Sequence, residues 1–347
     1  MHLDSHALPR IDQPRAGTHE LPIAAHEPAT PARSFLRRGL LFTAIGLLLY
    51  LALYVVADQL VYQHTLRNRF YAIKTAPHAH YDSVILGASR AAVFDYEDMN
   101  ARLEQLTGSK ILNLSVVGGG LTINRLLLEY FLVGHTTSQV VYFVDSFVFY
   151  SRQWNEDRLN DVQLINRAPF DPALARLLLG NSATRSIGLD YILGFSKINN
   201  PDRFKLDISE DEATKFNTAY RPVRQIDLQR IRYLYPEQVD RAVFQHYLAE
   251  FEAFVQYLKE RNIRLIVIKS PIPERVYRML PNEQEFDAAL GALLERYGVE
   301  FHDLSLAVND ERLYYNTDHL NRMGVLYFYD HFLGKILSGR TIIAHVV

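Results

Sequence analysis

Ser89 follows the short β-branched run Val84-Ile85-Leu86 through Gly87-Ala88, which places a hydroxyl at the exit of a predicted buried strand. Far downstream, Asn316-Thr317-Asp318-His319 puts an imidazole in a loop after the last predicted strand, ahead of a helix expected to start near Arg322-Met323-Gly324. Between them, Gly118-Gly119-Gly120 ends a second apolar run, where missing side chains let backbone N–H groups approach a ligand. A hydroxyl nucleophile, amide donors for a developing oxyanion and a general base are the parts of acyl transfer through serine. Taken alone, Ser89 reads as a helix N-cap, Gly118–Gly120 as a flexible turn and His319 as a surface histidine. Their order along the chain favours the chemical reading.

The elements that must position these residues are strands alternating with helices. Val84–Leu86, Ile111–Val117, Gln139–Val144 and Arg264–Lys269 read as four strands and Val299–Leu304 as a fifth, and continuous apolar strands separated by helices predict a parallel sheet covered on both faces. In such a sheet the ligand site lies beyond the carboxyl ends of the strands, which is where Ser89 falls. Before the fourth strand, Val239, Val243, Tyr247, Phe251, Phe254, Val255 and Leu258 keep helical spacing and predict one long amphipathic helix. Its opening turns carry Glu237 and Asp240, where the helix dipole favours negative charge. Residues about 151–235 read as a mostly helical insertion that shapes substrate access.

Upstream, the nineteen residues Gly39–Ala57 carry no charge, and as a helix they span about 28 Å, close to the hydrocarbon thickness of a bilayer. Residues 34–58 are therefore expected to cross a membrane once. Arg33, Arg37 and Arg38 precede the run directly, whereas the nearest following cations are Arg67 and Arg69, so the positive-inside rule puts the N-terminus in the cytoplasm and the rest of the chain outside. A proline-rich tail at 1–33, holding five of the fourteen prolines, is expected to be disordered, and 59–79 to be a linker. With a formal net charge of −2 and no basic cluster, nucleic acid is not an expected partner. No cysteine is present, which removes thiolate nucleophiles, thiolate metal sites and disulfides. His78-Ala79-His80 has the alternation of a two-histidine metal site but no carboxylate partner, and reads as exposed linker.

Three blocks, Val84-Ile85-Leu86-Gly87-Ala88-Ser89-Arg90, Asn113-Leu114-Ser115-Val116-Val117-Gly118-Gly119-Gly120 and Asp318-His319-Leu320-Asn321-Arg322-Met323-Gly324, together resemble the SGNH hydrolase superfamily, also called GDSL-like. The resemblance covers about residues 80–338. It implies an α/β, three-layer, flavodoxin-like fold with about five parallel strands, here preceded by one transmembrane helix. It further implies Ser89 as nucleophile, His319 as general base, and an amide among Gly118, Gly119 and Gly120, with that of Ser89, as the oxyanion hole.

The chain departs from the family pattern twice. Asn316 stands where the family places an aspartate three residues before the histidine; its carbonyl can orient an imidazole but cannot offset imidazolium charge. Asp318 is the second choice for that role, since a neighbour one residue away in an extended loop tends to point elsewhere. Asp145-Ser146 replaces the segment that donates an asparagine amide to the oxyanion, so a structural or substrate-contacting role is expected for Asp145. Arg90 reads equally as an anion contact for substrate or as the partner of a nearby carboxylate. The aromatic run Tyr142, Phe143, Phe147, Phe149, Tyr150 and Trp154 reads mainly as core, in part as a platform for sugar or lipid.

Membrane-tethered relatives of this layout resemble proteins of polysaccharide O-acetylation and of D-alanyl transfer to teichoic acids. The expectation is thus a serine esterase or O-acyltransferase, single-pass in the inner membrane with a periplasmic domain, acting on acyl esters of a cell-envelope glycan. It needs no metal or organic cofactor and would work beside a multi-pass membrane acyltransferase. The alternative is a non-catalytic scaffold or glycan-binding component of an envelope assembly complex that keeps the fold.

Overall fold

The computed structural model describes residues 32–64, 68–159, 162–165, 167–199 and 208–339. The expected disordered tail falls almost wholly outside them. The chain divides into two compact units, Met1–Leu51 and Ala52–Val347. One helix, α1 (Ala32–His64), contains the uncharged run, and its stretch Ser34–Val61 is long and apolar enough to cross a membrane. Phe35, Phe42, Leu47 and Leu48 lie exposed along it.

Five strands, β1 (His80–Gly87), β2 (Ile111–Asn113), β3 (Thr136–Val144), β4 (Arg264–Lys269) and β5 (Glu300–Asp303), form one sheet in the order β2-β1-β3-β4-β5. Every pairing is parallel. Alternate side chains of the apolar runs separate to the two faces. Val84, Leu86, Val140, Tyr142 and Val267 enter one core, and Ile85, Val141, Phe143, Ile266 and Ile268 the other. This two-sided burial is why β1, β3 and β4 read as apolar runs, whereas the edge strand β5 is only partly buried and carries Glu300, His302 and Asp303. The second strand stops at Asn113, four residues short of the expected Val117. The Leu114 and Val116 N–H groups still donate to Ile85 O and Gly87 O at 2.8 and 3.1 Å, but the Gly87 N–H turns to Asn124 Oδ1 at 3.0 Å, so an amide side chain from outside the sheet takes one side of the ladder there.

Helices cover both faces: α3 (Ser89–Ala92) and α4 (Met99–Thr107) after β1, α5 (Leu121–Gly134) after β2, and α11 (Glu283–Tyr297) before β5. The segment between β3 and β4 contains short helices, among them α6 (Pro172–Gly180), α7 (Arg185–Leu193), α8 (Phe195–Ile198) and α9 (Arg224–Leu234). The long amphipathic helix is α10 (Arg241–Glu260), and α12 (Arg322–Phe328) follows the histidine loop. Helix α10 starts two residues after Val239 because Asp240 is its N-cap, accepting from the Ala242 N–H at 2.8 Å. Val243, Phe244, Tyr247, Phe251, Phe254, Val255 and Leu258 are its buried face, each side chain worth about 1.5–3 kcal/mol relative to exposure.

The expected linker at 59–79 is largely structured. Helix α1 runs on to His64, and a second helix, α2 (Arg69–Lys74), is capped by Asn68 and buries Phe70 and Ile73. Arg69 donates to Ser115 O at 2.8 Å and pairs with Asp95, which ties this helix to the loop after β2. Of the His78-Ala79-His80 pattern, His80 opens β1 and shares a 2.9 Å hydrogen bond with Thr136 Oγ1.

Strand β1 delivers the serine through Gly87, whose φ is 151° and where a Cβ would lie 2.9 Å from Phe143 O and 3.0 Å from Ala91 Cβ. Both the dihedral and the lack of space demand glycine. Gly87→Ala is expected to cost about 1–3 kcal/mol from backbone strain, with overpacking against Phe143 added to it. Urea unfolding of the variant measures this, and a cost near zero would show that the strand exit can relax.

Candidate active site

Ser89 is not an N-cap. Ala88 holds the cap position with extended backbone and Ser89 is the first residue of α3, so the hydroxyl is left for the cleft beyond the sheet. The neighbouring loop is held at fixed distance by Asn124, a fully buried residue of α5: its Oδ1 accepts from the Gly87 N–H at 3.0 Å and its Nδ2 donates to Gly120 O at 2.7 Å. One amide side chain thus joins the exit of β1 to the triglycine loop.

That loop divides its three amides. The Gly119 N–H donates to Val116 O and the Gly120 N–H to Trp154 O, both at 2.8 Å, so neither is available for an oxyanion. Gly118, with φ of 68°, lines the cleft with Ser89. The candidate oxyanion donors therefore narrow from three glycines to Gly118 beside Ser89.

His319 reaches the same cleft from a tight loop. Tyr314 and Leu320 form an antiparallel bridge, the Tyr315 N–H donates to His319 O at 3.0 Å, and Asn321 caps α12 through the Gly324 N–H at 3.0 Å. Inside the loop Asn316 Oδ1 accepts from the N–H groups of Asp318 and His319 at 3.1 and 3.0 Å, and lies 2.9 Å from His319 Nδ1. Asp318 does not point away, contrary to the expectation for adjacent residues. The loop folds back on itself, and Asp318 Oδ1 sits 3.1 Å from the same Nδ1. With two oxygen acceptors at Nδ1, the proton belongs there, and Nε2 carries the lone pair. His319 is 2% exposed, and its Nε2 has no hydrogen-bond partner among the described residues.

Behind the histidine lies a buried charge network. Arg90 donates to Asp145 Oδ1 at 2.6 Å and to Asp318 Oδ2 at 2.9 Å, and Arg230 reaches Asp318 Oδ1 at 3.1 Å. Arg90 is 7% exposed and does not line the cleft, so of its two readings the structure gives the carboxylate partner. Asp145 is likewise buried and is held by Arg90. Burial opposes ionisation of Asp318, but Arg230, His319 and Arg90 together hold its carboxyl well below the usual range. Burial raises the Asp145 carboxyl against the pull of Arg90. Desolvation lowers the pKa of Arg90, but Asp145 and Asp318 outweigh it, raise the pKa and keep the guanidinium charged.

The cleft holds about 450 Å³ and is walled by Phe147, Trp154 and Tyr233 on its apolar side and by Arg158, Arg230 and Glu212 on its polar side. Most of the aromatic run found in the sequence is core, but Phe147 and Trp154 face this space. Trp154 is fixed by its indole N–H, which donates to Leu234 O at 2.9 Å. No group of three or more metal-ligating side chains occurs among the described residues. Arg230, Tyr233 and Asn124 were not anticipated from sequence. Arg230 and Tyr233 sit on α9, whose polar periodicity gives no sign of a site, and Asn124 is one amide in an otherwise apolar helix.

Comparison with known proteins adds little to this geometry. No family model and no curated protein matches the chain. Among solved structures, one from Bacteroides fragilis described as a "putative acylhydrolase" is 9% identical, with a TM-score of 0.35, covering 79% of this chain and 97% of that one. At that level of similarity the residues themselves must carry the chemistry.

Proposed function

We propose that the protein is a membrane-anchored serine esterase or O-acyltransferase that acts on acyl esters of a cell-envelope glycan. The observation that carries this reading is a buried imidazole with its Nδ1 held by two oxygens and its Nε2 open, lining one cleft with a serine at a strand exit. Ser89 Oγ attacks the ester carbonyl carbon while His319 Nε2 takes its proton. The carbonyl oxygen becomes an oxyanion beside the N–H groups of Gly118 and Ser89. Collapse breaks the bond to the leaving alkoxide, which receives the proton from His319, and leaves an acyl group on Ser89. Water or a sugar hydroxyl then loses its proton to Nε2, attacks the acyl carbon, and Ser89 leaves with that proton. The open Nε2 is consistent with a resting state in which the serine–histidine hydrogen bond tightens only on binding. Phe147, Trp154 and Tyr233 offer apolar faces suited to a sugar ring, with Arg230 and Glu212 as polar partners.

In this reading α1 anchors the domain, and the arginines that precede its uncharged run keep the N-terminus cytoplasmic, so catalysis takes place on the periplasmic side of the inner membrane. A multi-pass acyltransferase would supply acyl groups across that membrane. One observation favours a second reading, a non-catalytic glycan-binding component: the Asp318 carboxylate is already shared by Arg90 and Arg230, which leaves less charge to stabilise an imidazolium. A fluorophosphonate probe separates the two. Full-length protein in detergent is expected to label covalently, and Ser89→Ala to abolish the label; an unlabelled, folded wild type would remove the esterase reading. A phosphatase reporter at the C-terminus should be active if the domain is periplasmic, and silence would reverse the orientation.

A further inference from the structure

Helix α7 is amphipathic in the wrong direction for a water-facing element. Its inner face is Thr184, Gly188 and Tyr191, all buried, while Leu189, Ile192 and Leu193 at one-turn spacing are 52%, 37% and 60% exposed. Phe195, which opens α8, is 63% exposed beside them. A soluble domain seldom gathers four large apolar side chains on one outward face. Leu178 packs at 2.9 Å from where a Gly188 Cβ would be, which fixes the inner face and leaves the apolar side outward.

What decides the occupant of this face is its attachment. Tyr54, inside the uncharged run, donates through its hydroxyl to Tyr191 O at 3.3 Å, and its ring covers Gly194 so closely that a Cβ there would lie 1.9 Å from the ring. One turn later Asp58 accepts from Lys197 Nζ at 2.6 Å and from the Phe170 N–H at 2.9 Å. The Lys197 side chain is wholly buried, and its Nζ also donates to Ala168 O at 2.9 Å. Helices α7 and α8 are therefore clamped to residues 54–58, the end of the apolar run and its first charge. An element touching Tyr54 lies at the depth where such a helix leaves the bilayer, the level that tyrosine favours.

We propose that the outward face of α7 and α8, formed by Leu189, Ile192, Leu193 and Phe195, is a second membrane contact that lies in the outer interface of the bilayer crossed by α1. It rests on the reading of α1 as a membrane anchor. The partner is lipid: apolar side chains enter the headgroup and acyl boundary, and the Arg176 guanidinium, beside the shallow groove formed with Phe170, Leu179 and Ile192, meets lipid phosphate.

The cysteine-free chain allows a direct test. Full-length Leu189→Cys, Phe195→Cys, Leu47→Cys and Met323→Cys variants, each carrying one environment-sensitive fluorophore, are reconstituted into phosphatidylcholine–phosphatidylglycerol vesicles with or without acyl-chain nitroxide lipid. Met323, 63% exposed on α12, is the water-facing control, because α12 packs on the opposite face of the sheet from Leu174, Leu178 and Tyr191. Seated about 5–10 Å into the boundary, probes at 189 and 195 should lose about half their emission to the nitroxide, as the probe at 47 does and the probe at 323 does not. Quenching at 47 with none at 189 and 195 overturns the proposal while leaving the anchor intact. Absence of quenching at 47 removes the anchor and the proposal together. Shielding of 189 and 195 from an aqueous quencher in native membranes, without nitroxide quenching in lipid vesicles, identifies a protein partner instead and also overturns it.

Discussion

Ser89→Ala is expected to reduce ester turnover by on the order of 10⁴-fold while changing stability by no more than about 0.5 kcal/mol. The two halves of this expectation have separate causes. Ser89 is the first residue of α3 and not its cap, so alanine keeps the backbone of the turn and removes no capping bond. The kinetic loss follows from removing the atom that forms the acyl intermediate, with only oxyanion donors and binding left to assist direct attack by water. His319→Ala should fall in the same range, and the double variant should lose no more than either single one, because the two residues act as one unit. Hydrolysis of a chromogenic acetyl ester together with thermal unfolding measures both. Activity of Ser89→Ala within tenfold of wild type would assign the nucleophile elsewhere.

Asp318→Asn is expected to destabilise the fold by about 3–5 kcal/mol, because Arg90 and Arg230 would face a neutral amide in a buried site. Its effect on turnover should be more modest, about 10- to 100-fold. Asn316 Oδ1 still holds Nδ1 at 2.9 Å and keeps the tautomer, so only charge stabilisation of the imidazolium is lost. Asn316→Ala should reverse the balance. Three donors lose their acceptor, the loop costs about 1–3 kcal/mol, and the imidazole loses the neutral partner that orients it. Unfolding in urea across pH gives a further check. The folded Asp318 carboxyl lies well below its unfolded value of about 3.9, so its contribution is complete above that value and lost as pH falls through the lower folded one. Asp318→Asn should remove this acid limb, and an unchanged acid limb would place the stabilising charge on another group.

Much of the framework follows from local pattern. The apolar runs that became β1, β3 and β4 are short, β-branched and bounded by polar or glycine residues, and those features mark them as strands where burial on two faces removes the alternation. The amphipathic stretch of α10 is long enough for its period to be unambiguous, and the uncharged run of α1 needs only a length. Boundaries fared worse where a side chain takes the place of a backbone partner, as Asn124 does for the Gly87 N–H at the end of the β1–β2 ladder and Asn68 does as the cap of α2. In the site, the serine, a cleft-lining glycine and the histidine were visible because strand exits are where a parallel sheet exposes side chains.

Other features depend on contacts between residues far apart in the chain, which no local pattern encodes. The sequence by itself determined that this is a parallel α/β chain with one apolar span and with Ser89, a glycine loop and His319 at positions that can converge. Only the tertiary structure decided which groups meet. It spends the Gly119 and Gly120 amides on the backbone, turns Asp318 back to His319 Nδ1, and commits Arg90 to two carboxylates 55 and 228 residues away in sequence. The physical reason is that desolvated charges and amides must find partners wherever the fold puts them, so the role of each polar residue is set by its buried neighbours rather than by its place in a motif.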